Sequence, residues 1–468
     1  MFHLNKKHTC FFRLSKIIIA VFIIFFMTGM VFSGCAGKKT ENSDNMATTS
    51  TKRAAENETD DKHSQETDAI HSVTFWNSCK PKERIFLMEN IESFKRENPN
   101  ISIEVKHYRS EEELMDTFSA ASLAGAGPDI ILLGMNNMKK LAKENVLKDL
   151  TDEFDYNKFI PGLNELTFFD RKRYVVPFNA ADFLLFFYNR EIISRPPSNF
   201  EEVLTYTREN TDPAAGIYGF LLNAGQPEWV LPFMGGYLDW IYDYDSGSIS
   251  LNNQSVQKTL GFLEEVYNVE NIIPFDIDYE EINDSFKAGN TAMIINGSWA
   301  IEEYEEAGID FGVSKIPKAT GALSNPTPMV TGMGFMVNVN SALKNFEYAR
   351  SFINYMISNE IQKAWMLNTS SYPSVTGLER EDIMTNDILY NTLLQVKICR
   401  GQIPEEDLRL VREVIKLNIE SLIAGNISAE DAAVKMQEDI IKMKSGQLKI
   451  EDFTETTSGE EEIRGENG

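Results

Sequence analysis

Histidine and cysteine are scarce in this 468-residue chain, at five and four residues. No apolar run reaches the roughly 20 residues that a membrane-spanning helix needs. Of the histidines, His107 alone falls inside the expected folded body; His71 sits at its edge, His63 in a polar segment and the rest near the N-terminus. A hydrolase with a histidine base and a zinc enzyme are both argued against, since imidazole is the usual base near neutral pH and the commonest metal ligand. Only Cys79 and Cys399 lie in the body, which allows one bridge or two free thiols but no disulfide framework. The pattern G-x-x-x-x-G-K-[ST] is absent, and the glycine-rich turn at residues 125–128 precedes a strand instead of opening a helix, so nucleotide binding is disfavoured. Catalytic carboxylate pairs stay open, because 70 acidic residues offer many combinations.

The N-terminus holds what the rest lacks. Lys6, Lys7, Arg13 and Lys16 precede an uncharged apolar run at residues 17–32, which ends in Ser33 and Gly34 before Cys35. A charged segment, a short apolar run and small residues make a cleaved secretion signal. The segment VFSGC at residues 31–35 also resembles a bacterial lipobox, with Phe32 where leucine is usual. That resemblance implies cleavage after Gly34 and a diacylglycerol on the thiol of Cys35, and two or more acyl chains anchor a protein stably. Residues 35–70 then read as a tether, because without an aromatic residue after Cys35 they cannot bury enough apolar surface to order themselves. About 35 such residues span roughly 30 to 35 Å. Residues 451–468 form an acidic tail. Removing residues 1–34 leaves 41 basic against 70 acidic groups, net −29, a charge that repels nucleic acid and anionic lipid.

About 380 residues remain, more than one core usually holds, so two lobes are expected. Short apolar runs at residues 73–76, 101–105, 130–133, 175–178, 183–188, 292–295 and 334–339 alternate with helical patterns at residues 83–97, 346–359, 404–423 and 428–443. This alternation predicts an α/β fold. Ser428 with Asp431 three residues on gives the last helix a start like a capping box. Residues 243–251 faintly resemble a calcium loop but lack its closing glutamate, and read as a hairpin turning at Ser246-Gly247. Trp365 shares helical spacing with Ile357 and Ile361 and reads as core.

Several segments in a fixed order resemble the family 1 extracellular solute-binding proteins. They are VTFWN (73–77), GPDIILL (127–133), YVVPF (174–178), LFFYNR (185–190), FKAGNTAMIINGSWA (286–300), GMGFMV (332–337) and ARSFINYMIS (349–358). The resemblance covers about residues 72–445. It implies the two-lobed periplasmic-binding-protein fold with three hinge crossings, near residues 178–182, 325–331 and 373–377, with proline and glycine punctuating the last two. The first lobe would comprise residues 71–180 and 330–375, the second residues 181–329 and 376–450.

It also implies a ligand between the lobes, at the carboxyl ends of strands. Sugars present apolar C–H faces and a rim of hydroxyls, so their sites need flat aromatic rings and side chains with fixed donors and acceptors. On that basis Trp299, after the strand-Asn-Gly pattern, is the stacking candidate. Asp182, six residues before Tyr188, stands where the resemblance implies a hydroxyl-binding carboxylate, at the spacing of the maltodextrin-binding members. Asn136 and Asn137 stand where maltodextrin-binding members use an aspartate and an arginine, and Leu133 replaces a stacking tryptophan. Asn77 and Ser78 end the first strand, Glu228 and Trp229 lie in a ligand-lining stretch, and Tyr372 lies near the third crossing.

The resulting expectation is an anchored, monomeric, extracytoplasmic receptor. It binds a carbohydrate without catalysis, cofactor or metal and delivers it to the permease subunits of an ABC transporter. The competing readings are an anchored polysaccharide-processing enzyme and a sensor subunit presenting ligand to a kinase. Few cations occur in the cleft-matching segments beyond Lys80 and Arg190, which argues against a phosphorylated ligand and favours a neutral sugar.

Overall fold

The computed structural model describes residues 70–269, 273–369, 371–378 and 381–449, all within one compact unit that begins at Glu66. The secretion signal, Cys35, the tether up to residue 69 and the acidic tail lie outside the described residues.

Two sheets organise the body. In the first, the strands run in the order Ile101–His107, His71–Asn77, Ile130–Gly134, Met333–Val337, Val176–Pro177. The first three are parallel, and Met333–Val337 is antiparallel to its neighbours. Ile130–Gly134 is buried along its whole length, as a strand covered on both faces must be. Helices Pro81–Glu97 and Glu111–Leu123 follow the first two strands and start at their carboxyl ends. Ser110 caps the second of these, accepting a hydrogen bond from the Glu113 amide at 3.2 Å.

The second sheet has the order Phe311–Ser314, Leu184–Asn189, Thr291–Gly297, Tyr218–Leu221. Its two central strands are buried at every position and read as continuous apolar runs. Leu343–Met356 packs on the first sheet through His71–Asn77, whereas Asp387–Val396 packs on Phe311–Ser314 of the second. The long helices Glu405–Ile423 and Ala429–Lys444 pack on Gln254–Glu264. Trp365 is 1% exposed, with its ring edge-on to Phe178, so it is core as its spacing predicts.

Between the sheets the chain segments bond to one another. Asn179–Ala180 pairs antiparallel with Tyr372–Pro373, and Ala181 bridges to Thr331. The buried Gln362 side chain donates to the Phe178 carbonyl and accepts from the Ser374 amide, each at 2.8 Å. Both remaining thiols are free and buried, which pushes each well above the ordinary thiol range. The hairpin at Ser246-Gly247 is present: Tyr242 bridges Ile249, and Asp243 Oδ1 accepts the Asp245 and Ser246 amides.

Candidate functional site

A cavity of about 580 Å³ lies between the two sheets, at the ends where their strands deliver the chain into loops. The first lobe contributes Ser78 and Lys80 after the first strand, Glu83 and Glu111 from the first turns of two helices, and Gly134 and Asn136 after the third strand. Ser298 and Trp299 come from the turn after the strand Thr291–Gly297, and Ile301, Glu302 and Glu305 from the helix Ala300–Glu306 that follows. Asn179, Ala181, Asp182, Thr331, Gly332, Met333 and Tyr372 line the floor between them. Lys82 on one lobe and Glu302 on the other stand 3.6 Å apart, an exposed ion pair across the gap.

Trp299 is 45% exposed, unusual for so large an apolar ring, and its indole N–H donates to the Tyr279 hydroxyl at 3.0 Å. Gly297 is the reason the ring can lie back over the strand end. A Cβ there would come within 2.2 Å of three atoms of the indole. A flat, exposed and tethered ring beside polar groups is what stacking on a sugar face requires.

Polar groups on the facing wall are held in advance. Glu83 accepts from Ser371 Oγ at 2.8 Å and from the Lys80 amide at 3.1 Å, which also caps its helix. Glu111 accepts from Asn137 Nδ2 at 3.3 Å and lies against the backbone of Gly134, where a Cβ would stand 2.6 Å from its carboxylate. Enclosure in the cleft pushes the Glu111 carboxyl up, and nearby Asp182 and Glu83 push it further. Asp182 is raised for the same primary reason, with Lys80 opposing. Its backbone has a φ of 56°, a left-handed conformation that is uncommon for a non-glycine residue.

Of the nine residues expected to contact ligand, the structure brings Ser78, Asn136, Asp182, Trp299 and Tyr372 to this cavity. It does not bring Asn77, Asn137, Glu228 or Trp229 there. Asn77 is fully buried in its own lobe, where its side-chain oxygen lies 2.7 Å from His107 Nδ1 and accepts the Cys79 amide. Asn137 turns its amide to the wall residues themselves, donating to Glu111 and to Asn136 Oδ1, each at 3.3 Å. Glu228 forms an ion pair with Arg412, which also binds Glu405. Trp229 is 7% exposed and donates its indole N–H to the Ile295 carbonyl at 3.0 Å, so it is packed beneath the strand that carries Trp299. Trp240 lines a separate cavity of about 590 Å³ with Tyr242, Tyr244 and Arg400.

Lys80, Glu83, Glu111, Glu302, Glu305 and Ser298 were not singled out as site residues from sequence. Glu111 heads a run of three glutamates at a helix start, and nothing local distinguishes the one that faces the cleft. Ser298 carries a signal in hindsight, since it sits between the Asn-Gly turn and Trp299. Among the described residues no group of three or more histidine, cysteine or carboxylate side chains could hold a metal ion.

The chain is 26% identical over 272 residues to the galactooligosaccharide-binding protein of Bacillus subtilis (strain 168), a match covering 55% of this chain and 63% of that protein's length. Over 387 residues it is 24% identical to the maltotriose-binding protein of Pyrococcus abyssi, covering 80% and 83%. Among solved structures, an extracellular solute-binding protein from Staphylococcus aureus in complex with maltose superposes with a TM-score of 0.71 at 20% identity. That superposition covers 81% of this chain and 99% of the other, and at this identity it speaks to the two-lobed α/β fold. Residues 89–392 match the model of the bacterial extracellular solute-binding proteins, and the chain belongs to that family.

Proposed function

We propose that the protein is an extracytoplasmic receptor that binds a carbohydrate in the cavity between its lobes and passes it to the permease subunits of an ABC importer. One observation carries the reading: a single exposed, tethered indole faces a wall of fixed hydrogen-bonding side chains across a gap between two lobes. The names of two relatives, a galactooligosaccharide-binding protein and a maltotriose-binding protein, support it. Nothing in this arrangement calls for covalent chemistry. The cavity needs only to hold a ligand and be exposed or enclosed as the lobes move about the paired segments near residues 178–182, 325–331 and 373–377. The lobes are then residues 71–180 with 330–375, and 181–329 with 376–450. Within the cavity the ligand contacts are Ser78, Asn136, Asp182, Trp299 and Tyr372, joined by Glu83, Glu111 and Ser298. An acylated Cys35 with a tether to residue 70 holds a monomeric body at the membrane surface.

A carbohydrate panel tests the reading by mass action. A ligand that binds only the folded state, at 100 times its dissociation constant, adds about 2.7 kcal/mol of stability, so the thermal midpoint rises with the right sugar. A broad panel that shifts nothing, while a phosphate ester does, would overturn the substrate class. Incubated oligosaccharide should keep its mass throughout. The anchor has its own test: Cys35→Ala should release the protein from membranes or block its maturation, and unchanged processing with membrane retention refutes the lipobox.

A further inference from the structure

We propose that the second cavity is a further saccharide subsite, which takes the distal rings of the same ligand and makes the substrate an oligosaccharide; this rests on the carbohydrate reading above. That cavity, of about 590 Å³, is walled by Phe168 from the first lobe and by Trp240, Tyr242 and Tyr244 from the second, with Arg400 beside them. It has twice the aromatic side chains of the first cavity, where only Trp299 and Tyr372 stand.

Two links join the cavities into one cleft. Along the floor, Met329 pairs with Arg400 in a parallel register, and Thr331 lies two residues beyond Met329. Side chains paired across a ladder share a face, as do those two residues apart on one strand. Thr331 of the first cavity and Arg400 of the second therefore point to the same side. The rise of two residues and one strand spacing put their Cα atoms about 8 Å apart. Along the wall, Asn136 lines the first cavity, and Lys139, three residues on, holds its ammonium 5.6 Å from the centre of the Tyr242 ring. A chain of sugar rings that starts on Trp299 thus reaches the second cavity over a short span.

The chemistry of the second cavity selects the occupant. Phe168 is braced by Arg173, whose guanidinium lies 3.7 Å from the ring centre. The Tyr242 hydroxyl donates to Asp407 at 2.9 Å, and the Trp240 indole N–H donates to the Tyr244 hydroxyl oxygen at 3.2 Å. Rings fixed in advance lose little entropy when a C–H face settles on them. Arg400 is paired with Glu165 at 2.7 Å, which leaves no uncompensated positive charge for an anion. Its guanidinium already lies 5.5 and 6.0 Å from the Trp240 and Tyr244 ring centres, where a cationic ligand would have to sit. Arg400 Nε is enclosed and has no hydrogen-bond partner among the described residues, and Asn164, Ser248 and Ser250 add polar groups around the cavity. An enclosed donor without an acceptor is uncommon in a folded protein, and a sugar hydroxyl supplies one.

The experiment is calorimetric titration of the full chain with malto-oligosaccharides and β-galactooligosaccharides, each from disaccharide to heptasaccharide. In the series that binds, affinity should rise by about tenfold once the chain is long enough to reach the second cavity, the worth of a further stacked ring, and then level off. The ratio of long-chain to short-chain affinity should fall toward one in Trp240→Ala. Ser250→Trp is the companion variant, since it puts an indole into the same hollow from an exposed position. A collapsed ratio there, with an unchanged unliganded midpoint, is no folding defect. Equal affinity for short and long chains, or a ratio that survives either variant, overturns the second subsite and leaves the carbohydrate reading intact. Absence of binding at every length, joined to a carbohydrate panel that shifts nothing, removes that reading and the subsite with it.

Discussion

The two walls of the cleft are built on different plans. On the first lobe the side chains that face the gap are polar and tied down: Glu83 by Ser371 and the Lys80 amide, Glu111 by Asn137 and the Gly134 backbone. On the second lobe an exposed indole leads the facing surface at the start of a seven-residue helix, with one hydrogen bond to Tyr279 and a glycine behind it, beside Ser298, Ile301, Glu302 and Glu305. The first wall supplies fixed hydrogen-bonding direction, and the second supplies apolar area. Specificity for a hydroxylated ligand needs both, since area alone does not distinguish sugars and hydrogen bonds alone gain little against water.

The largest effect separates the second wall from its own foundation. Trp229 supports the strand that carries Trp299, so Trp229→Ala should cost about 3 to 5 kcal/mol of folding stability, read as a fall in the unliganded thermal midpoint. Trp299→Ala should do the reverse. It should leave that midpoint nearly unchanged while binding weakens by about 2 kcal/mol, or roughly 30-fold. A large fall in midpoint with unchanged affinity would show Trp299 to be structural and erase the contrast between the walls. Gly297→Ala keeps the indole but pushes it off the strand end, and affinity should drop by about tenfold or less, the lower range for a displaced anchor.

The smallest effect concerns the first wall and has an unusual sign. Enclosure raises the Glu111 and Asp182 carboxyls above their unfolded values, so between those values the folded state binds more protons. Stability of the free protein therefore declines as pH rises through that acid window, and the cost is complete above it. Glu111→Gln should raise the unliganded midpoint at neutral pH by on the order of one degree, with no gain below the window. An unliganded midpoint in Glu111→Gln that stays equal to the parent's at neutral pH would show that enclosure of this carboxyl carries no such cost.

Much of this was legible in the sequence. Apolar runs marked the strands, and the strand-Asn-Gly pattern marked Trp299, because a turn after a buried strand delivers its next side chains to the strand's carboxyl end. Ser428 caps the last helix as its spacing predicts, accepting the Asp431 amide at 3.1 Å, while the carboxylate of Asp431 turns to the Ser428 hydroxyl. What the sequence hid was pairing over long distances. Glu228 looked available because its partner, Arg412, lies 184 residues away. Asn137 stood at a ligand-contact position of the resemblance, and its partner Glu111, from another helix, was out of sight. Conversely, Glu111 was indistinguishable from Glu112 and Glu113 until the first lobe was folded.

The segments between the lobes are stitched together: Asn179 to Pro373, Ala181 to Thr331, and Gln362 to both Phe178 and Ser374. Strands fastened side by side in this way cannot flex independently, because bending one alone would break the bonds it shares with the next. A hinge built from these segments would act as a leaf spring with one soft mode, so each opening of the cleft would retrace the same arc. Asp182 stands at the edge of that spring in its left-handed backbone. On such a hinge its carboxylate would travel with little scatter, and a ligand held there would meet the opposite wall in one registration.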